Sequence, residues 1–185
     1  MKLNIYILSH PIIQIFNKNI INSKKIKEKT DQSKITIFLL YEILRKIVKI
    51  TNIYIYKMNY LQQFSVMDCE QKNYIVTDIV NNLNMLTEVS NTFPQTEIKH
   101  FSFNYENEWN LENFNNINDK TNIIILEKFL ESNNILKLIK YFKEIKKIQE
   151  KQITITCITC SNQVLEKISQ YYNDINIYTT HISYA

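Results

Sequence analysis

Apolar residues recur at two different spacings along this 185-residue chain, and the switches between them mark its elements. Leu3 to Leu8 is a short apolar run that Ser9-His10-Pro11 stops, and Pro11 suits the first turn of a short helix through Ile12, Ile13 and Phe16. Asn17 to Ser33 is polar and lysine-rich and reads as loop and helix start. Ile35, Phe38, Leu39, Ile43, Ile47 and Ile50 return at helical spacing, which predicts a long helix from about Ser33 to Lys49. Ile53 to Tyr56 is a strand candidate, Met58 to Glu70 is ambiguous, Tyr74 to Val76 is a short buried strand and Asn81 to Asn91 is helical. Pro94 sits in a turn before a strand over Glu97 to Phe103. Asn104 to Lys120 is Asn-rich, carries Trp109 and Phe114, and reads as a surface flap.

The stretch from Thr121 to Phe142 reads as a buried strand (Asn122 to Leu126), a loop (Glu127 to Asn134) and an amphipathic helix reaching about Lys147. That helix carries Ile135, Leu138, Ile139, Phe142, Ile145 and Ile148 on one face, a pattern for packing on a sheet. A strand over Gln152 to Ile158, a helix over Asn162 to Tyr171 and a strand over Ile175 to Thr179 close the chain. Strands alternating with helices predict an α/β fold with a parallel sheet and right-handed crossovers. No linker or internal repeat divides the chain, so residues 1–185 read as a single domain, with a helical N-terminal part over 1–50 and the flap over 104–120.

Composition sharpens the picture at one point: the chain has no glycine, although glycine is normally about 7% of residues and the easiest route to positive φ. Asn is the next best residue there, and the chain is crowded with it. Ile, Asn, Lys and Tyr dominate, the residues of A/T-rich codons. The expectation is an A/T-rich genome such as that of a plastid, with the product stromal or thylakoid-associated, or alternatively of a mitochondrion. A net charge of +4, with lysines interleaved by Glu, describes solvated helix faces rather than a nucleic-acid groove. No run is long enough to span a membrane, and the N-terminal apolar stretch is too short and polar for a signal peptide. Three cysteines do not make a disulfide framework, which suits a reducing compartment.

The strand-loop-helix junction at residues 121–142 is where many α/β proteins hold a phosphate, using glycines that turn backbone N–H groups inward and the positive end of the helix. Here the loop has no glycine and adds two carboxylates, Glu127 and Glu131. Those two could hold a cation, or serve as first-turn acids that favour the helix N-terminus, which is the reading adopted. Cys157-Ile158-Thr159-Cys160 is a C-x-x-C where a strand meets a helix, a setting that lowers a thiol pKa. Small buried hydrophobes at a strand end explain it better. A zinc site would need more ligands, and Cys69, His10, His100 and His181 are scattered. Tyr54, Tyr56, Tyr60, Tyr105, Tyr171, Tyr172 and Trp109 are candidate protein-contact residues.

Three short motifs in order carry a family resemblance. Ser9-His10-Pro11-Ile12-Ile13 resembles K-H-P-L-V, Leu39-Leu40-Tyr41-Glu42 resembles L-L-T-Y-E, and Tyr178-Thr179-Thr180-His181-Ile182 resembles Y-T-A-x-I, all of the uracil phosphoribosyltransferases. The resemblance spans nearly the whole chain and implies a parallel-sheet type I phosphoribosyltransferase fold with a flap excursion. It also implies which positions would work, and there the sequence departs. The family's pyrophosphate loop, R-A-G-L-G, matches Val80-Asn81-Asn82-Leu83-Asn84. Its ribose-phosphate loop, D-P-M-L-A-T-G-G-S, matches Leu126-Glu127-Lys128-Phe129-Leu130-Glu131-Ser132-Asn133-Asn134, with Glu131 in place of the phosphate-binding threonine. Its A-A-P-E-G segment matches Cys160 to Val164 and implies no thiol role. Its glycine-rich base-binding tail has no counterpart before Ala185.

The expectation is therefore a pseudoenzyme. Val80, Asn81, Asn82 and Asn84, with Leu126, Glu127, Glu131, Ser132, Asn133 and Asn134, are the degenerate ligand-loop positions. No catalytic residue, metal, cofactor or nucleotide ligand is expected. The role expected is that of a structural, linker or protein-binding subunit, in a homodimer or a larger organellar, membrane-associated or photosynthetic complex. The alternative is a divergent uracil phosphoribosyltransferase making UMP from uracil and phosphoribosyl pyrophosphate.

Overall fold

The computed structural model describes residues 3–21, 25–68, 70–103, 109–111, 117–131 and 134–184. Seven strands form one sheet: β1 (Asn4–Ile7), β4 (Lys72–Thr77), β5 (Thr96–Phe103), β6 (Trp109–Leu111), β7 (Thr121–Leu130), β8 (Ile153–Ser161) and β9 (Asn176–Ser183). Their spatial order is β1-β9-β8-β7-β4-β5-β6, with every pair parallel except β5 with β6. Two further strands, β2 (Ile50–Lys57) and β3 (Tyr60–Met67), pair only with each other, as an antiparallel ribbon. This is the α/β parallel-sheet architecture that the alternating pattern predicts.

Helices cover both faces of the sheet. One apolar layer joins Ile124 and Leu126 of β7 to Leu39, Leu40 and Ile43 of α2 (Lys25–Ile47) and Met85 of α3 (Ile79–Leu86). The other joins Ile123 and Ile125 to Leu138, Ile139 of α5 (Asn134–Lys140) and Ile168 of α6 (Asn162–Tyr171). Period-2 alternation sends neighbouring isoleucines of β7 to opposite faces, so an unbroken Ile run is what a strand covered on both sides requires. α1 (Pro11–Ile21) and the short α4 (Val89–Thr92) complete the α2 side.

Several boundaries differ from the sequence reading, each for a physical reason. Most of Asn17 to Ser33 is helical, because α1 runs on to Ile21 and α2 starts at Lys25. The ambiguous stretch after Met58 is β3, paired residue for residue with β2. The expected loop from Glu127 is strand through Leu130, since Phe129 and Leu130 pair with Thr159 and Cys160 of β8. Ile145 does not join the apolar face: the helix after Lys140 widens to a π-turn over Tyr141–Ile145, which rotates Ile145 to 67% exposure while Phe142 stays buried. Tyr172 is buried in the core rather than offered as a contact. Of the expected flap, Trp109–Leu111 forms β6, while residues 104–108 and 112–116, with Tyr105 and Phe114, lie outside the described residues.

The glycine-free sequence leaves its mark at two positions. Among the described residues the positive-φ backbone belongs to Met58 (φ 31°) and Lys147 (φ 56°), not to Asn. Met58 closes the two-residue turn of the ribbon, where pairing of Lys57 with Tyr60 dictates the conformation. Lys147 ends the π-turn, letting Ile148 N–H donate to the Phe142 carbonyl at 3.1 Å. A left-handed non-glycine residue costs roughly 1–2 kcal/mol, while glycine adds some unfolded-chain entropy. Lys147→Gly should therefore raise unfolding free energy by about 0.5–1 kcal/mol in urea titrations, and a loss would contradict this account of the turn.

Candidate ligand crevice

The chain leaves β4 toward β5 on one side and leaves β7 toward β8 on the other, so the sheet changes winding direction between β4 and β7. In open α/β sheets ligands bind outside the carboxyl ends of the strands at such a switch point. A cavity of about 330 Å³ lies there, lined by Asp78, Asn81, Phe101, Ser102, Glu127, Phe129, Leu130, Asn134 and Ile135.

Its floor is built by local sequence. Asp78 follows β4 and caps α3, its Oδ1 accepting from Val80 N (3.1 Å) and Asn81 N (3.4 Å). Its Oδ2 accepts from Asn81 Nδ2 at 2.6 Å. Asn82, fully buried within α3, has non-helical backbone angles (φ −109°, ψ 16°). From there its Nδ2 donates to Thr77 Oγ1 (3.0 Å) and Glu127 Oε2 (3.2 Å), tying α3 across to β7. Thr77 Oγ1 in turn donates to the Leu126 carbonyl at 2.7 Å. His100 Nδ1 accepts from Ile79 N at 3.2 Å. The side-chain dipoles of this corner are thus spent on one another.

Glu127 is the anomalous group. Burial pushes its pKa up from 4.5 to about 7, the negative charge of Asp78 adds to the rise, and the Asn82 hydrogen bond opposes it. The cation beside it in sequence is elsewhere: Lys128 projects to the opposite face and pairs with Glu28 Oε1 of α2 at 2.8 Å. No lysine or arginine lines the cavity among the described residues.

The expected site residues therefore separate. Glu127 and Asn134 line the cavity, and Asn81 and Asn82 reach it from α3. Leu126 is core, Val80 is 80% exposed on the helix, and Asn84 is half-buried with its carbonyl accepting from Thr87 Oγ1. The reading of Glu127 and Glu131 as first-turn acids is overturned: α5 starts at Asn134 with no acid in its first turn, Glu127 is in mid-strand and Glu131 is exposed before the helix. Ser132 and Asn133 lie outside the described residues, as does Cys69. Sequence reasoning missed Asp78, the second carboxylate of the cavity, although an Asp directly after a strand and before a helix is an N-cap signal.

The other candidates fall into structural roles. Cys157 and Cys160 are both buried in the core. Hydrogen bonding to Cys160 and burial push the Cys157 thiol well up, while the same bond draws Cys160 down from its ordinary value. Cys160 Sγ donates to the His181 carbonyl at 3.8 Å. His10 Nδ1 accepts from Ile12 N at 3.2 Å and its ring stacks on Phe38. Among the described residues no three His, Cys, Asp or Glu side chains gather as a metal site, and no helix is long and apolar enough to cross a membrane.

Likeness to solved structures decides the fold. The AQ2163 protein of Aquifex aeolicus superposes with a TM-score of 0.72 over 97% of this chain and 87% of its own, at 14% identity. An adenine phosphoribosyltransferase from Trypanosoma brucei, solved with AMP, pyrophosphate and ribose-5-phosphate, gives 0.53 over 97% and 84%, at 10% identity. The chain has a type I phosphoribosyltransferase-like fold. At these identities the likeness speaks to the fold and not to any one nucleobase. By sequence, no protein-family model and no curated protein matches the chain.

A raised carboxylate pKa is a stability statement with a definite sign. Below pH 4.5 Glu127 is protonated folded or unfolded and contributes nothing. As pH rises from 4.5 to about 7 the unfolded chain ionises first, so the folded state loses stability, and the loss is complete above that window. Glu127→Gln keeps an oxygen for Asn82 and removes the charge. It should stabilise the protein at about pH 8 by roughly 1–2 kcal/mol, discounted for partial exposure, and leave it unchanged at about pH 4. Equal gains at both pH values in urea unfolding would show that ionisation is not the cause.

Proposed function

We propose that this chain is a non-catalytic phosphoribosyltransferase homologue that serves as a structural or protein-binding subunit. The observation that carries the reading is the side chain at the head of the central strand. Where a sugar-phosphate would enter the crevice, β7 continues as strand and presents Glu127, with Asp78 beside it and no cation in the lining among the described residues. Two like charges about 4 Å apart repel by roughly 1 kcal/mol in water and about 4 kcal/mol near a protein surface. A phosphate facing this pair either meets that repulsion or must hold Glu127 protonated. Phosphoryl recognition elsewhere relies on the reverse arrangement, inward N–H groups and cationic side chains. Transition-state stabilisation of a pyrophosphate leaving group needs the same positive field.

Composition supports placing the gene in an A/T-rich organellar genome, a plastid or alternatively a mitochondrion, and a multi-subunit complex there as the working context. The competing reading is a uracil phosphoribosyltransferase of pyrimidine salvage, favoured by the surviving 330 Å³ crevice and by the motifs at Ser9–Ile13, Leu39–Glu42 and Tyr178–Ile182. Calorimetric titration with magnesium phosphoribosyl pyrophosphate, followed by assay with uracil, separates the two. The expected result is no saturable heat below millimolar ligand and no UMP; micromolar binding with turnover would establish the enzyme instead.

A further inference from the structure

Among the described residues, Ser33 Oγ, Gln62 Oε1, Asn73 Nδ2 and Thr156 Oγ1 are buried side-chain atoms without a hydrogen-bond partner. Asn73 is the one of them that lines a cavity of about 310 Å³. That cavity lies at the amino end of the sheet, where β4 and β5 begin, opposite the crevice. Asn73 is 2% exposed, and its Oδ1 accepts from Asn122 Nδ2 at 2.9 Å. The carbonyl and amino ends of one amide point apart, so Nδ2 is turned away from Asn122 with its N–H groups to give. Strand alternation puts Asn73 on the face of β4 that carries Ile75, which packs with Leu39 and Ile43 of α2. Buried donors are nearly always paired, and this one finds no acceptor among the described residues.

The cavity around it is preformed and mostly apolar. Met67 stands at the root of the β2–β3 ribbon, and Gln71 fastens that root, its Nε2 donating to the Ile47 carbonyl (2.6 Å) and its Oε1 accepting from Lys49 N (3.0 Å). Phe93 is held by its own carbonyl, which accepts from Thr96 N (3.1 Å) and Thr96 Oγ1 (2.8 Å). Tyr41 and Leu44 of α2 add to the apolar lining. The Thr92 hydroxyl is also spent, donating to the Glu88 carbonyl at 2.8 Å. Apart from the exposed Gln95, the polar groups left for a ligand are the Asn73 amide and Arg45. Arg45 is the one charged residue in the lining among the described residues, and no carboxylate joins it there. One of its nitrogens pairs with Glu42 at 2.7 Å on the solvated side, which leaves further N–H groups to give.

Toward the cavity both groups donate, so a complementary ligand brings oxygen acceptors, and the single cation favours an anionic one. A volume near the lower end of the ~300–1,000 Å³ range, apolar walls and a few placed polar groups are the marks of a small-molecule site. We propose that this cavity binds a small apolar monocarboxylate, its hydrocarbon body against Tyr41, Leu44, Met67 and Phe93, one carboxylate oxygen accepting from Asn73 Nδ2, and its charge answered by Arg45. An amine finds no counter-charge here, and a sugar has too many hydroxyls for these walls. The site is remote from the crevice and goes beyond the non-catalytic reading, standing whichever way that reading falls.

Calorimetric titration of the whole chain with phenylpropionate tests the site, with phenylpropionamide and phenylpropylamine as its neutral and cationic counterparts. The acid should bind with a Kd of about 0.1–1 mM, the amide about tenfold more weakly and the amine without saturation. In isotope-labelled protein the Asn73 side-chain amide resonance should shift along the same titration curve. Arg45→Gln should bring the acid down to the affinity of the amide and leave the amide unchanged, a selective effect that general damage to the fold would not give. Asn73→Leu should weaken acid and amide alike by about tenfold. Circular dichroism reports whether Asn73→Leu keeps its fold; if it does not, Arg45→Gln and the resonance decide the question. No saturable heat with the acid, equal binding of acid and amine, an Asn73 resonance that stays in place, or an acid preference that survives Arg45→Gln would each overturn the proposal. A cavity sealed in solution by another protein surface would give the first of these results. Titration with magnesium phosphoribosyl pyrophosphate reads the crevice instead, so failure here and failure of the non-catalytic reading are told apart.

Discussion

A carboxylate that cannot comfortably ionise sits at the head of the central strand, and much of the surrounding architecture accommodates it. Glu127 stays on β7 because the strand pairs on to Leu130, and the Asn82 amide reaches across from α3 to bind it. At Asn82 α3 departs from helical geometry, and Asp78 pins its first turn. Burial and the Asp78 charge raise the Glu127 pKa to about 7, so near neutrality the corner exchanges a proton rather than holding a fixed charge. A cradle for a phosphate needs turned backbone and positive field in the same place. Here β7 stays extended through Leu130, and the charged side chains that line the cavity are the carboxylates Asp78 and Glu127.

The side chains of the crevice also serve the fold. Asn82 takes a position the resembled family gives to glycine, and its side chain donates to Thr77 and Glu127. Thr77 is bound to the Leu126 carbonyl, so β4 and β7 are linked by side chain as well as by ladder at their carboxyl ends. Buried polar groups are stabilising when mutually satisfied and costly when not.

The two ends of the molecule thus differ in character. The carboxyl end of the sheet is a polar, acidic hollow whose hydrogen bonds close on themselves. The amino end carries a groove lined by Tyr41, Leu44 and Phe93 beside Arg45, and a ribbon that is largely exposed among the described residues. Hydrophobic surface is driven to burial without regard to orientation, and most residues of this ribbon stay exposed.

Read along the chain, periodicity determined the layered α/β architecture, because a strand covered on both faces must be apolar at every position, as Ile123 to Leu126 are, and a covering helix must be apolar at every third or fourth, as Ile35 to Ile43 are. Motif order pointed to the phosphoribosyltransferase fold, and the absence of glycine and the acids at the junction marked its crevice as altered. Only the tertiary structure decided what those acids do. Glu127 became a half-buried group with a raised pKa because β8 offered a ladder partner past Leu126, and its companion proved to be Asp78, 49 positions earlier in the chain, rather than Glu131. Nor does the alternation of β2 and β3 announce an uncovered ribbon: strand spacing says that a segment is extended, but whether anything packs on it depends on chain elements far away in sequence. Local pattern fixes conformation because neighbouring residues share a backbone; burial and pKa depend on distant groups that only the folded chain brings together.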